Sequence, residues 1–113
     1  SREPRQTHRI ENTLVRTKER PNAELWPGEV AFYEHDDFRG KVWILHADTP
    51  DCRRIAGMND QVSSIRVGPE TAVTVFKHVG YKGTNDVIYM DTPSLAESDV
   101  GNDSISSLSL NWR

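Results

Sequence analysis

A six-residue stretch occurs twice in the 113-residue chain and constrains the fold more than any other feature. The first copy, residues 59–64, is Asn-Asp-Gln-Val-Ser-Ser, and the second, residues 102–107, is Asn-Asp-Ser-Ile-Ser-Ser. Each copy runs directly into a stretch of alternating apolar residues, a pattern typical of a β-strand. Side-chain oxygens are therefore expected at the start of a strand in two places, and such an arrangement suits a hard cation.

A second motif recurs at the same offset of 43 residues, which makes two unrelated turns an inadequate explanation. It consists of an aromatic residue, a second aromatic residue five positions later and a glycine two positions after that. The two copies are Tyr33, Phe38 and Gly40, and Phe76, Tyr81 and Gly83. A single hexapeptide would be an ordinary turn, because Asn, Asp and Ser side chains often bond their own backbone. Two motifs in one order at one offset instead indicate a duplicated unit over residues 28–113.

Composition excludes several classes of protein. The single Cys52 rules out an internal disulfide framework and a cysteine-rich zinc site, so we expect an ordinary buried or half-buried thiol. No apolar run approaches the length of a membrane-spanning helix. Residues 1–27 contain six Lys or Arg against four Glu, whereas residues 28–113 contain eight basic against thirteen acidic residues. The acidic part should repel nucleic acid and attract cations.

Short apolar-alternating segments separated by Gly and Pro predict an all-β sandwich. The predicted strands are 29–34, 41–46, 63–67, 72–77, 86–90 and 106–112. Four strands in each unit would give about eight, with one strand of each unit hidden in the loops 47–58 and 91–101; residues 53–55 are one candidate. Residues 1–27 are expected to form a flexible extension, with a short amphipathic helical turn around residues 7–19 as the alternative.

With both motifs in view, residues 28–113 resemble the βγ-crystallin superfamily, particularly its microbial calcium-binding members. The resemblance implies two intertwined Greek keys, residues 28–68 and 69–113, packed as a wedge-shaped sandwich. It also implies two Ca²⁺ ions at one end of that sandwich and a fold stabilised by calcium. The second unit departs from the first, since Thr84-Asn85-Asp86 stand where the first has Lys41-Val42-Trp43, so its hairpin should have the thinner core.

The resemblance also implies the ligands. Each ion would take a carbonyl following the first aromatic residue, the carbonyl of the third hexapeptide residue, the hydroxyl of the fifth, and the carboxylate of the second residue of the opposite unit. In that order the sites are Glu34, Gln61, Ser63 and Asp103, and Lys77, Ser104, Ser106 and Asp60. Water would complete the six to eight oxygens that calcium requires. Ser64 and Ser107 are expected to hydrogen-bond the folded hairpin.

Two other functions were compared with calcium binding. An enzyme is not expected, because the histidines and serines are accompanied by no nucleophile elbow, zinc motif or phosphate loop. A secreted inhibitor, toxin or carbohydrate-binding module on the same scaffold is the alternative, because fold does not settle function. We expect a monomer located outside the cell or at its surface, and the sequence identifies no protein or glycan partner.

Overall fold

The computed structural model describes residues 25–112, so most of the predicted extension at residues 1–27 lies outside the described residues. This part of the chain contains six β-strands and one short 3₁₀-helix. The strands are β1 (Val30–His35), β2 (Arg39–Leu45), β3 (Ser64–Val67), β4 (Thr71–His78), β5 (Lys82–Ile88) and β6 (Ser107–Trp112). Among the described residues, no helix is long and apolar enough to span a membrane.

The strands form two antiparallel three-stranded sheets, which confirms the all-β prediction. The first sheet has the order β2-β1-β3 and the second the order β5-β4-β6. In each sheet the last strand of the unit returns to lie beside the first, as in a Greek key. The sheets therefore correspond to the two repeated units, and their facing sides enclose the main hydrophobic core.

The prediction of about eight strands was too high, and the difference lies in two single-residue bridges. Thr49 of the first unit pairs with Leu108 of β6, and Thr92 of the second unit pairs with Ile65 of β3. Each unit thus contributes a short segment to the sheet of the other unit. The pairing stops because each threonine is followed by a proline, which has no N–H group to continue the ladder.

Two predicted strand positions were also wrong. Residues 53–55 do not form a strand, because Cys52–Arg54 forms a 3₁₀-helix in which the N-cap residue Asp51 accepts a hydrogen bond from the N–H of Arg53. The fifth strand begins at Lys82 rather than Asp86 and ends at Ile88. Its first half is exposed and polar, so the sequence has no apolar alternation there, and pairing depends on the backbone alone.

The two hairpins differ in their cores as the sequence predicted. Strand β2 buries its last four residues, whereas β5 buries only Ile88. Trp43 is 2% exposed and donates from Nε1 to the carbonyl of Ala56 at 3.0 Å. At the equivalent positions of the second unit, Asp86 accepts from the N–H of Asp99 at 2.8 Å. Both units therefore have a hydrogen bond between the hairpin and the following loop, but the hairpin residue donates it in the first unit and accepts it in the second. The second unit has no side chain of the indole's apolar volume at this position.

Each hairpin between paired strands folds over its own sheet, which explains the repeated aromatic and glycine positions. Tyr33 and Phe38 pack edge to face with ring centroids 5.6 Å apart, and the second unit repeats this contact at 5.7 Å. Gly40 has a φ of +83°, and a Cβ at this position would lie 2.6 Å from Cδ2 of His35. The glycine is required because the preceding histidine ring lies directly against the turn.

We expect Gly83→Ala to destabilise the domain more than Gly80→Ala. Both glycines have positive φ, +84° and +73°, so both alanines should bear a similar backbone cost of about 1–2 kcal/mol. Only at Gly83 would the new Cβ lie 2.4 Å from Cδ2 of His78; at Gly80 the nearest atom is Cε of Lys82 at 4.0 Å. Denaturant titrations of both variants measure the difference, and equal losses would show that the histidine packing adds nothing.

Candidate metal centre

The two hexapeptide turns contact each other across the interface between the units. Asp60 and Asp103 have φ values of +58° and +55°, a left-handed conformation that Asp adopts more readily than most residues. Asp60 donates its N–H to the carbonyl of Ile105 at 3.1 Å, and Asp103 donates to the carbonyl of Val62 at 3.0 Å. Val62 and Ile105 are fully buried. Each turn is therefore held in place by the backbone of the other unit.

The same exchange brings a hydroxyl group and a carboxylate together at each turn. Ser63 donates from Oγ to Oδ1 of Asp103 at 3.1 Å. Ser106 donates from Oγ to Oδ1 of Asp60 at 3.3 Å. Both serines are buried, at 5% and 8% exposure, whereas both aspartates are exposed. Two of the four residues predicted for each site are therefore in direct contact, and in each pair they come from different units.

Two of the residues predicted to supply carbonyls follow strand residues to which the serines are hydrogen-bonded. Ser63 donates its N–H to the carbonyl of Tyr33 at 2.8 Å, and Ser106 donates to that of Phe76 at 2.9 Å. The residues that follow these aromatics in β1 and β4 are Glu34 and Lys77. The remaining two, Gln61 and Ser104, lie within the turns themselves. Six of the eight predicted residues therefore belong to the two turns, and the other two are next in sequence to the strand residues to which those turns are bonded.

Ser64 and Ser107 connect each turn to the folded hairpin of the same unit, as predicted. Ser64 donates from Oγ to the carbonyl of His35 at 2.6 Å and accepts from the N–H of Phe38 at 3.0 Å. Ser107 makes the equivalent two hydrogen bonds at the same distances. The last serine of each hexapeptide is therefore a structural residue, and the turn cannot shift without disturbing the hairpin.

The chemistry of the site is dominated by neutral oxygens. Within residues 25–112, no three side chains of His, Cys, Asp or Glu converge on one point. A cation here would therefore depend on hydroxyl and carbonyl oxygens with one carboxylate at each site. A surface groove of about 430 Å³ is lined by Glu34 and Gln61, two of the residues predicted for the first site, and also by the cationic Lys41 and Arg53.

The sequence analysis did not identify the residues that hydrogen-bond the backbone carbonyls of the two serines. Cys52 donates its N–H to the carbonyl of Ser106 at 2.8 Å, and Leu95 donates to the carbonyl of Ser63 at 2.9 Å. Cys52 and Leu95 are both fully buried and are themselves separated by 43 positions. The repeat offset was therefore the signal that could have identified them. They lie in the segments between strands, Cys52 at the start of the 3₁₀-helix, where proline and glycine residues conceal any regular pattern.

Burial, together with a smaller effect of the charges of Asp51 and Asp60, raises the pKa of the Cys52 thiol to about 12. The thiol of the folded chain should thus stay neutral and unreactive at about pH 8, near its unfolded pKa of about 8.5. Because its pKa is higher in the folded than in the unfolded chain, the buried neutral thiol contributes fully to the stability of the fold below about pH 8.5. This contribution is lost as the pH rises towards 12. A thiol reagent should therefore label Cys52 only after denaturant is added.

Cys52→Ala is the matched control, because alanine does not titrate while its packing cost is independent of pH. The difference in unfolding free energy between the wild type and this variant should shrink as the pH rises from about 8 to about 11. A difference that stays constant, or rapid labelling of the folded wild type, would show that the thiol is not buried as described.

The comparisons with known proteins agree with this architecture. Residues 26–88 match the model of peptidase inhibitor family I36. Spherulin-3A of Physarum polycephalum is 44% identical over 50 residues, which are 44% of this chain and 48% of that protein. The chain thus matches about half the length of this curated relative.

Three solved structures show the same fold over most of the chain. One, from work on the evolution of the eye lens βγ-crystallin domain fold, has a TM-score of 0.75 and 31% identity, covering 81% of this chain and 93% of that chain. The NMR structure of spherulin 3A from Physarum polycephalum has a TM-score of 0.67 and 31% identity, covering 81% and 90%. A βγ-crystallin from an archaeon has a TM-score of 0.64 and 28% identity, covering 74% and 96%. The chain therefore belongs to the βγ-crystallin superfamily and to peptidase inhibitor family I36 within that fold.

Proposed function

We propose that this domain binds two Ca²⁺ ions, one at each contact between a serine hydroxyl and an aspartate carboxylate. The observation that supports it most strongly is the pair of contacts between units, 3.1 Å for Ser63 with Asp103 and 3.3 Å for Ser106 with Asp60. A carboxylate and a hydroxyl are hard oxygen donors of the type that calcium prefers. Neither arrangement offers the nitrogen or sulfur ligands that favour zinc or copper.

The remaining ligands are those that the family resemblance implies. The first ion would use the carbonyls of Glu34 and Gln61 together with Ser63 and Asp103. The second ion would use the carbonyls of Lys77 and Ser104 together with Ser106 and Asp60. Backbone carbonyls are common calcium ligands and are fixed here by the strand pairing and the turns. Exposure of both aspartates would leave room for water to complete each coordination shell.

Calcium would act on this fold by joining the two units. Each ion replaces a hydrogen bond between a serine and an aspartate with bonds from both residues to one cation. The turns are already connected by backbone hydrogen bonds, so little rearrangement of the backbone would be required. Since only the folded chain assembles both parts of a site, calcium should bind the native state selectively and stabilise it.

Isothermal calorimetry should show two calcium ions per chain with micromolar to sub-millimolar affinity. One carboxylate for each ion should give weaker sites than those of high-charge calcium buffers, and the oxygen geometry should favour calcium over magnesium.

At a free calcium concentration of one hundred times Kd, the free energy of unfolding should rise by about 2.7 kcal/mol. For a domain of this size the melting temperature should increase on the order of 10 °C. No heat of binding, equal magnesium affinity or a melting temperature indifferent to chelator would contradict the proposal.

The exchange of carboxylates between units predicts a specific pattern in double variants. Asp60→Ala with Ser106→Ala should lose little more calcium binding than either single change, because both act on one site. Asp60→Ala with Ser63→Ala should impair both sites, with losses close to additive. Removing the only carboxylate of a site should be the more severe single change, because the remaining dipoles do not replace a full charge.

Calorimetry of these variants tests the assignment, and Gln61→Ala is a suitable control. Only the backbone carbonyl of Gln61 is proposed as a ligand, so truncation of its exposed side chain should leave both sites intact. Additive losses for Asp60 with Ser106, and non-additive losses for Asp60 with Ser63, would show that each unit builds its own site.

We propose that the domain acts by binding rather than by catalysis. Peptidase inhibition is the second candidate function, because residues 26–88 match a peptidase inhibitor family. Inhibition assays with purified peptidases, in the presence of calcium and of chelator, separate the two functions. Inhibition that is unchanged by chelator would make the fold a scaffold for inhibition rather than for calcium.

A further inference from the structure

Four apolar side chains on the outer face of the first sheet are buried although they point away from the core between the sheets. They are Ala31, Tyr33, Val42 and Ile44, with exposures of 1%, 8%, 3% and 5%. Alternation along β1 and β2 places them opposite the core residues of the same strands. The outer face of an antiparallel sheet in a two-layer protein usually contacts water and is polar. The outer face of the first sheet is therefore apolar and is covered within the described residues, with Leu25 and Phe38 packed against it.

The second sheet lacks this feature, so the repeat itself does not explain it. The positions equivalent to Val42 and Ile44 are Asn85 and Val87, which are both exposed, Val87 at 50%. Both sheets have an aromatic pair from the folded hairpin, so that pair cannot account for the difference. The additional cover must come from a part of the chain without an equivalent in the second unit.

Leu25 is such a residue, because it packs on the buried outer face and is the first residue that the structure describes. The chain enters the first unit there, whereas the second unit begins from the tight linker at Gly68. Gly68 donates its N–H to the carbonyl of Glu29 at 2.9 Å and would bring a Cβ within 2.4 Å of the carbonyl oxygen of Trp26. The turn leading from Leu25 into β1 is thus packed closely against the linker, which fixes where residues 1–24 leave the domain.

An open groove of about 360 Å³ lies next to Leu25. Val67 and Pro69 contribute to one wall, and Tyr89 and Met90, which are 53% and 61% exposed, contribute to the other. The groove continues the outer face of the first sheet, because the bridge between residues 65 and 92 places this wall beside β3. Its lining also includes the ion pair of Arg66 and Asp91, 3.6 Å apart, so the groove offers both apolar and charged surface to a chain segment that extends beyond Leu25.

We propose that residues 1–24 continue from Leu25 into the groove beside Tyr89 and Met90 and fill it. The segment begins at the groove, and at about 3.3 Å or more per extended residue it is long enough to cross a domain whose smallest dimension is 26 Å. It contains apolar residues at Ile10, Leu14 and Val15. Its six basic and four acidic residues also complement residues 28–113, which have eight basic and thirteen acidic residues.

Methyl NMR of the full chain tests this docking, because the chain has only two methionines. Met90 lines the groove, and Met58 is fully buried in the main core and serves as an internal reference. Ile10→Asp combined with Leu14→Asp should move the Met90 methyl signal towards its position in a solvated peptide and leave that of Met58 unchanged. Thr13→Asp combined with Thr17→Asp adds the same charge without removing apolar surface, so this control should shift Met90 less.

The reciprocal test uses trypsin cleavage at the basic residues of the segment. Met90→Asp should speed cleavage after Lys18 about tenfold, because the docked segment would open more often. Val87→Asp is the matched control, since Val87 is similarly exposed but lies on the second sheet, and it should leave cleavage unchanged. Equal cleavage in both variants, or a Met90 signal insensitive to residues 10 and 14, would overturn the proposal. A Met90 signal that changes on dilution would also overturn it, because the groove would then be occupied by a second copy of the chain.

Discussion

The reciprocal hydrogen bonds between the two hexapeptide turns are the interaction on which the rest of the structure depends. Asp60 and Asp103 each donate a backbone N–H to the opposite unit, and this places each side-chain carboxylate beside a serine of that unit. The buried residues Val62 and Ile105 provide the accepting carbonyls. The same residues therefore hold the core and the candidate metal centre together. Each turn depends on hydrogen bonds from the opposite unit for its position.

The two units have the same backbone design and different surroundings. Trp43 fills the first hairpin, while Asp86 takes its place in the second and bonds the loop through its carboxylate. Outside the core, the first sheet is covered by apolar contacts and the second is exposed at Val87. The two turns and their hydrogen bonds are thus equivalent, while the hairpin cores and the outer faces differ between the units.

Much of the architecture could be predicted because the repeat links distant residues directly. The offset between Ser63 and Ser106 identified the two units. The family resemblance implied that each aspartate serves the site of the opposite unit, and the contacts between serine and aspartate are consistent with that assignment. The bridges at Thr49 and Thr92 could not be predicted, since a pairing of one residue leaves no periodic pattern. The start of β5 was missed because an exposed edge strand pairs through its backbone, which any sequence provides.

The sequence also did not predict which residues pack over the outer face of the first sheet. The pattern in β1 and β2 is apolar on both faces, as in a strand buried on both sides, but the sequence does not show what lies over it. The eight proposed ligands have a different limitation. Four of them would act through backbone carbonyls, for which side-chain identity is almost irrelevant, so only the backbone geometry can locate them.

A crystal structure of the chain grown with calcium tests the central claim most directly. The account predicts two ions, one within about 2.3–2.6 Å of Ser63 Oγ and a carboxylate oxygen of Asp103, and the other equally close to Ser106 Oγ and Asp60. Anomalous scattering would distinguish the ions from water. Ions bound by the aspartate and the serine of the same unit would contradict the exchange, and turns without ions at saturating calcium would contradict the proposed function.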